Sequence, residues 1–182
     1  MKSTLVTRYG LACFVLLLSG CCFFRSHRPP PDAIPPATGS LSVAPASDFV
    51  YAPAQAGRVS PNRIENTAVA SIVLKKNIDV SVRDAVAATL KRAGIDTTGN
   101  ERILTAHIET FLVEDARAPA WWTLKMRYIL VETDTQRVLY TSTKTVRRQF
   151  RTFTSNTIAL EDTVRANVVT LLRDQEFVHA VQ

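Results

Sequence analysis

The chain has 182 residues, with 22 basic and 16 acidic side chains and a formal net charge of +6. This length suits one domain with a substantial core rather than two. The moderate positive charge does not by itself require a nucleic-acid partner, and three cysteines are too few for a disulfide framework. With six glycines the chain contains no glycine-rich phosphate loop and no Gly-x-Ser-x-Gly motif. Composition therefore favours a single globular body without the common nucleotide-binding or hydrolase motifs.

The start of the chain has the layout of an export signal. Two basic residues open it, residues 11–18 form an apolar run, and the small residues Ser19 and Gly20 precede Cys21. About eight apolar residues cover only ~12 Å of helix, whereas a bilayer core requires ~20 residues. We therefore predict that residues 1–20 are a signal peptide that is removed rather than a membrane span. Its removal lowers the net charge from +6 to +4, because two basic residues leave with it.

The run Leu18-Ser19-Gly20-Cys21 resembles the lipobox of bacterial lipoproteins. In that family the signal is cut just before the cysteine, whose sulfur receives a diacylglycerol and whose amino group is acylated. The resemblance implies that Cys21 is the lipidated N-terminus, and two or more acyl chains suffice for stable anchoring. Position 22 is not aspartate, so the family's sorting rule implies the inner leaflet of the outer membrane, with the body facing the periplasm. An ordinary secretory signal that ends near a cysteine is the alternative.

Proline dominates the segment after the predicted anchor. Eight of the nine prolines lie between residues 29 and 61. This composition is typical of an extended linker. We therefore predict that residues 21–66 are the lipidated N-terminus and a flexible Pro-rich tether, in which the apolar patch at 49–51 makes a local contact. Residues 67–182 are predicted to form one periplasmic domain.

The predicted domain consists of a strand, a helix, three strands and a helix. The first helix is predicted to begin with a capping box at Ser81 and Asp84 and to stop at Gly94, where glycine suits a left-handed residue. The last helix is predicted to begin at Asn156, with Phe177 packing back after its end. The predicted ranges are 67–74, 81–93, 103–114, 121–132, 137–150 and 156–173.

This order predicts an α+β fold. It contains a sheet of about four mainly antiparallel strands with two helices on one face, in the order β-α-β-β-β-α. A four-residue turn at 133–136 pairs Glu132 with Arg137, so that the numbers of paired residues sum to 269. The same rule assigns every later residue of the hairpin to one of the two faces.

The hairpin also contains the main charge concentration. Seven basic residues and two acidic ones lie between residues 125 and 151. The predicted register sets Lys125 opposite Lys144, and Trp121 opposite Arg148 at cation-π range. A docking surface for an acidic protein, phospholipid headgroups or lipopolysaccharide phosphates is one interpretation, and a solvated sheet face is the other. The predicted docking surface comprises Trp121, Lys125, Arg127, Lys144 and Arg148.

A second resemblance concerns the whole domain. The runs "SIVLKKNIDVSVRDAVAATLKRAGI", "ILTAHIETFLVED" and "WWTLKMRYILVETDTQRVLYTSTKTV" are similar to YajG-type outer-membrane lipoproteins. They are also similar, less closely, to auxiliary lipoproteins of ABC-type lipid transport systems. The likeness covers residues 67–178 and consists of element order and apolar pattern. It implies a non-enzymatic periplasmic domain, and for the second family a subunit that assists lipid traffic.

The chain offers little catalytic chemistry. His107-Ile108-Glu109 has the His-x-Glu pattern of zinc deaminases, but no cysteine follows position 22 to complete such a site. We predict no catalytic residue, no metal and no cofactor. The expected function is a membrane-anchored binding or assembly subunit of a cell-envelope complex; the alternative is a lipid-handling transport auxiliary. The expected partners are the membrane, an envelope protein and an anionic lipid, not nucleic acid.

Overall fold

A computed structural model describes residues 33–151 and 154–182. The predicted signal peptide, Cys21 and the first part of the predicted tether lie outside these residues. The described elements, in chain order, are β1 (Ser42–Val43), a 3-10 turn (Ala46–Asp48), β2 (Phe49–Tyr51), α1 (Ala52–Gln55), β3 (Arg63–Asn66), β4 (Ile72–Val73), α2 (Ile78–Ala93), β5 (Arg102–Glu114), β6 (Ala120–Glu132), β7 (Val138–Phe150), α3 (Asn156–Leu172) and α4 (Gln175–Ala180).

The sheet is mixed and is built around β5. On one side of β5, the long strands β6 and β7 follow in antiparallel order. On its other side, β1, β2 and β3 pair in turn with successive parts of β5, all in parallel, and β4 pairs antiparallel with β3. The predicted α+β class is therefore confirmed. The prediction of four strands is too low, because the described residues form a sheet of seven.

The tether prediction is wrong for residues 33–66, which belong to the folded body. Three apolar side chains of this segment are at most 1% exposed, namely Leu41, Phe49 and Ile64. Pro45 precedes the 3-10 turn and Pro53 lies in the first turn of α1. Proline is well tolerated at such positions, because its fixed φ suits them and its missing N–H has no helical partner there. The prolines therefore shape turns between short strands, and the folded body begins near residue 33 rather than 67.

Helix α2 begins earlier than predicted and ends where predicted. Asn77, in extended conformation, precedes it, and the Ser81 hydroxyl donates to the Asn77 carbonyl (2.9 Å) from inside the first turn. Ser81 is therefore not the N-cap. Gly94 closes the helix in the left-handed region (φ 99°), as predicted. A Cβ at this position would lie 2.9 Å from the Ala37 carbonyl oxygen, which gives a second reason for glycine.

The helices bury their apolar stripes against one face of the sheet, which we call the inner face. Helix α3 begins at Asn156 as predicted, and Ser155 is its N-cap residue. Phe177 of α4 is fully buried, also as predicted. The inner face of β6 carries five side chains that are at most 3% exposed, namely Trp122, Leu124, Met126, Tyr128 and Leu130. These side chains and the helix stripes form one continuous core.

The predicted register of the β6–β7 hairpin is wrong over most of its length. The amide of Glu132 donates to the Arg137 carbonyl (2.9 Å), so the turn closes as predicted. A bulge next to it then places Leu130 opposite Tyr140 instead of Leu139. Since successive side chains alternate between faces, this shift of one residue exchanges the two faces of β7.

A second bulge divides β5 at Glu109. The register skips this residue, because Ile108 and Thr110 pair with consecutive residues of β6. Phe111 is therefore fully buried on the inner face, while Leu112 lies on the opposite face and is only partly buried. A strand that alternates strictly from Leu104 onwards would place these two residues the other way round, so the bulge decides which of them is buried.

Candidate binding surface

The face of β5, β6 and β7 that points away from α2 and α3 carries charged and aromatic side chains. We call it the outer face. None of the outward-facing residues of β6 is buried, and Lys125 and Arg127 are exposed. The side chains of this face that form ion pairs or a ring stack with one another, which we call the outer-face cluster, are Glu109, Glu114, Trp121, Lys125, Arg127 and Arg147.

Glu109 lies between two cations of the outer-face cluster. Its carboxylate is 3.1 Å from Lys125 Nζ and 3.6 Å from Arg127 Nε. Both cationic side chains are 47% exposed, so these pairs contribute little to stability. One carboxylate between two cations leaves a net positive charge at a fixed place on the sheet. The bulge at Glu109 is one of the features that position this carboxylate.

Trp121 stacks with an arginine, but not with the predicted one. The guanidinium carbon of Arg147 lies 4.4 Å from the centre of the Trp121 ring, and Arg147 also donates to Glu114 (2.7 Å). The strand partner of Trp121 is Gln149, whereas Arg148 is opposite Trp122. A cation-π contact of this kind is worth about 0.5–1 kcal/mol at an exposed site. The stack therefore presents a flat ring and a guanidinium together on the outer face.

Lys144 does not face Lys125, which is opposite Thr145 instead. The exchanged faces of β7 direct Lys144 towards the helices, where its ammonium pairs with Asp174 (2.5 Å). The Tyr140 hydroxyl donates to the same carboxylate (2.8 Å). Lys144 and Arg148 are therefore not on the same face as the other three residues of the predicted docking surface. Lys144 instead links β7 by an ion pair to Asp174, the residue that precedes α4.

The contacts among Lys144, Asp174 and Tyr140 determine how these three side chains ionise. The hydrogen bond from Lys144 holds the pKa of Asp174 below its ordinary value. Partial burial by itself disfavours the charged form of Lys144, but hydrogen bonds with Asp174 and Tyr140 outweigh it and raise the lysine pKa. Burial raises the pKa of Tyr140. The ammonium and carboxylate are thus both charged over the whole neutral range.

A groove of about 720 Å³ runs between α2 and α3, and residues 73–76, at and after β4, also line it. Its apolar lining includes Leu74, Ala85, Ala88 and Leu160, and its basic lining comprises Lys75, Lys76, Arg92 and Arg165. Asp84 pairs with Lys76 (3.4 Å) and Asp162 pairs with Arg165 (2.8 Å). Among the described residues, the two other cations of the groove, Lys75 and Arg92, have no carboxylate partner. The groove also contains Glu161, which forms no ion pair with another described residue. The sequence pattern did not lead to a prediction of this groove, although small residues on one side of α2 are a signal for it.

The His-x-Glu motif lies in β5. His107 and Glu109 both lie on the outer face, and the Glu109 carboxylate forms ion pairs with Lys125 and Arg127. Within residues 33–151 and 154–182, no group of three or more His, Cys, Asp or Glu side chains is arranged to hold a metal ion. In the same ranges, no helix combines the length and apolar character that crossing a membrane requires.

Comparisons with known proteins establish the fold. A scan against protein-family models gives no match, and no curated protein matches the chain. Protein XCC0632 from Xanthomonas campestris, described as DUF330, is similar in structure: the TM-score is 0.51 at 17% identity, over 77% of this chain and 82% of that one. Lipoprotein GNA1162 from Neisseria meningitidis follows at a TM-score of 0.41 and 15% identity, over 75% and 99% of the two chains. A minor lipoprotein from Acinetobacter baumannii gives 0.35 and 10%, over 74% and 87%.

The likeness to the Xanthomonas protein is one of fold. The chain therefore shares its architecture with a bacterial protein of family DUF330, and proteins described as lipoproteins are among the similar structures.

Proposed function

We propose that this protein is a lipoprotein anchored through Cys21 in the inner leaflet of the outer membrane. Its body, facing the periplasm, acts as a non-catalytic binding or assembly subunit of a cell-envelope complex. The lipobox-like run before Cys21 supports the anchor. The observation that carries the binding role is the outer-face cluster on a sheet face that the helices do not cover.

The chemistry of the outer-face cluster suits an acidic protein partner. Trp121 and Arg147 form a rigid aromatic and guanidinium pair, and these residue types are enriched where interfaces concentrate their binding energy. Lys125 and Arg127 share a single carboxylate, so a partner's carboxylate would complete their charge balance. The long, paired strands fix the backbone positions of all these groups before binding, which reduces the entropy cost of association.

The test is site-specific photo-crosslinking in living cells. A photoreactive residue at position 127 or 145, both exposed on the outer face, is expected to capture one protein repeatedly. The same residue at position 91, exposed near the end of α2, is the control and should not capture it. Trp121→Ala should weaken the capture from position 145. Unrelated products from positions 127 and 145, or equal capture from position 91, would contradict the proposal.

The groove between α2 and α3 favours a second candidate function, that of a lipid-handling transport auxiliary. Its apolar lining would accept an acyl chain, while Lys75 and Arg92 would attract an anionic headgroup. A volume of about 720 Å³ lies within the usual range for small-molecule sites and fits part of a phospholipid rather than a whole one.

Native mass spectrometry of the full chain separates the two candidates. A lipid-handling protein should retain phospholipid, and Ala88→Trp, which fills the groove, should abolish this. Lys91→Trp adds the same bulk at an exposed site on the same helix and should leave it unchanged. A chain without bound lipid, or lipid retained equally by both variants, would remove the second candidate and leave the first standing.

A further inference from the structure

Strand β7 is a long edge strand of the described sheet. The strand order is β4, β3, β5, β6 and β7, with β1 and β2 also beside β5. In the part of the chain that the structure describes, β7 pairs with β6 on one side and with no strand on the other. Along an antiparallel edge, every second residue directs both its N–H and its C=O outwards. Every second one of the thirteen residues of β7 therefore presents a backbone donor and acceptor that no described strand uses.

This edge lacks the usual devices against pairing. Residues 138–150 contain no proline, and the bulge of the hairpin lies at the end next to the turn. Lys144, the inward-pointing charge in the middle of the strand, is neutralised by Asp174. The outer face of the same stretch carries three exposed threonines, Thr141, Thr143 and Thr145. Threonine favours strands and forms good cross-strand pairs with itself.

The charges at the two ends of β7 are of opposite sign. Three arginines lie at or just after one end, at positions 147, 148 and 151, and Arg147 pairs there with Glu114. The turn before the other end contains Glu132 and Asp134 with the single cation Arg137. A second β7 placed antiparallel brings the basic end of each strand to the acidic turn of the other. A parallel arrangement sets like charges together, so the strand is complementary to itself in one direction only.

We propose that β7 pairs antiparallel with β7 of a second copy, around a two-fold axis that passes through Thr143. In this register Thr143 faces its own counterpart, and Thr141 faces Thr145 of the other copy. Centring the axis on Lys144 instead would oppose two lysines directly, which is unfavourable. The two sheets join into one across the axis. This interface is formed by the backbone edge of β7 rather than by the ion pairs of the outer-face cluster, so it does not depend on the proposed function.

The first test is the association state of the full chain in detergent, measured by sedimentation velocity over a range of concentrations. The chain should form a dimer. Thr143→Lys opposes two ammonium groups at the axis and should raise the dimer dissociation constant ~10-fold or more. Thr105→Lys makes the same change on the same face of the inner strand β5 and should leave the constant unchanged. Circular dichroism verifies that both variants are folded.

The second test does not require a disruptive substitution. In a Cys22→Ser background, Thr143→Cys should form a disulfide between two chains on mild oxidation, whereas Thr105→Cys should not. A chain that is monomeric throughout and gives no crosslink specific to position 143 would overturn the proposal. So would a dimer that Thr143→Lys leaves intact.

Discussion

Asn167 joins helix α3 to both long strands of the hairpin, and its removal should be costly. The side chain is fully buried. Its Oδ1 accepts from the Tyr128 hydroxyl (2.9 Å), and its Nδ2 donates to the carbonyl oxygens of Leu124 (3.2 Å) and Lys144 (3.0 Å). Burial raises the pKa of Tyr128 well above its usual value, so its hydroxyl is a donor at neutral pH.

The expected cost follows from these contacts. Asn167→Ala removes three hydrogen bonds, each worth about 1 kcal/mol net, and leaves the hydroxyl of Tyr128 buried without its acceptor. We expect the free energy of unfolding to fall by about 3 kcal/mol. Tyr128→Phe should cost about 1–2 kcal/mol, because it leaves the Asn167 oxygen without a donor. The double variant should cost less than the sum, because neither partner is then left unsatisfied.

Urea denaturation of the four proteins in this cycle measures the coupling between the two side chains. We expect a coupling energy of about 1–2 kcal/mol. Thr89→Val is the control, since its hydroxyl bonds within α2 to the Ala85 carbonyl (2.8 Å) and does not cross to the sheet. Combined with Tyr128→Phe it should be additive. Additivity within about 0.3–0.5 kcal/mol for Asn167 and Tyr128 would refute this reasoning.

Two further predictions test other parts of the structure. Phe49→Ala should lower the free energy of unfolding, measured by urea denaturation, by about 3–5 kcal/mol, because Phe49 is 1% exposed. A loss below about 1 kcal/mol would indicate that residues 33–66 are a tether rather than part of the folded body. The stability difference between the native protein and Asp174→Asn should be constant around neutral pH. It should shrink as pH falls below the ordinary value of 3.8 through the lowered pKa of Asp174, and as pH rises above 10.5 through the raised pKa of Lys144. A difference that changes between pH 5 and 9 would contradict this assignment.

Local signals in the sequence predict the local features correctly. Gly94 stops α2 because a left-handed residue is required there, and the polar cluster at 133–136 forms the hairpin turn. The alternation from Trp122 to Leu130 identifies the inner face of β6, since one face of that strand is wholly apolar. Phe177 packs back as its position in a short terminal helix indicates.

The features that the sequence does not predict depend on contacts between distant residues. A single bulge beside the turn moves Lys144 and Arg148 to the inner side of β7, and neither glycine nor proline marks it. The strands of residues 42–66 are two to four residues long, which is too short to show alternation. They pair with residues of β5 that are far away in the sequence. Their prolines resemble those of a linker because turns and linkers share this composition. For the same reason, the outer-face cluster is only partly predictable: the residue types are right, but Arg147 replaces Arg148 as the partner of Trp121.

The most direct test of the proposed function is the mass of the mature N-terminal peptide, isolated from a membrane fraction. We predict that it begins at Cys21 and carries a thioether-linked diacylglycerol and an acylated amino group. Inhibition of lipoprotein signal cleavage should retain residues 1–20 on the same chain. A peptide with an unmodified Cys21 thiol, or one that begins elsewhere, would contradict the anchor and the envelope role that depends on it.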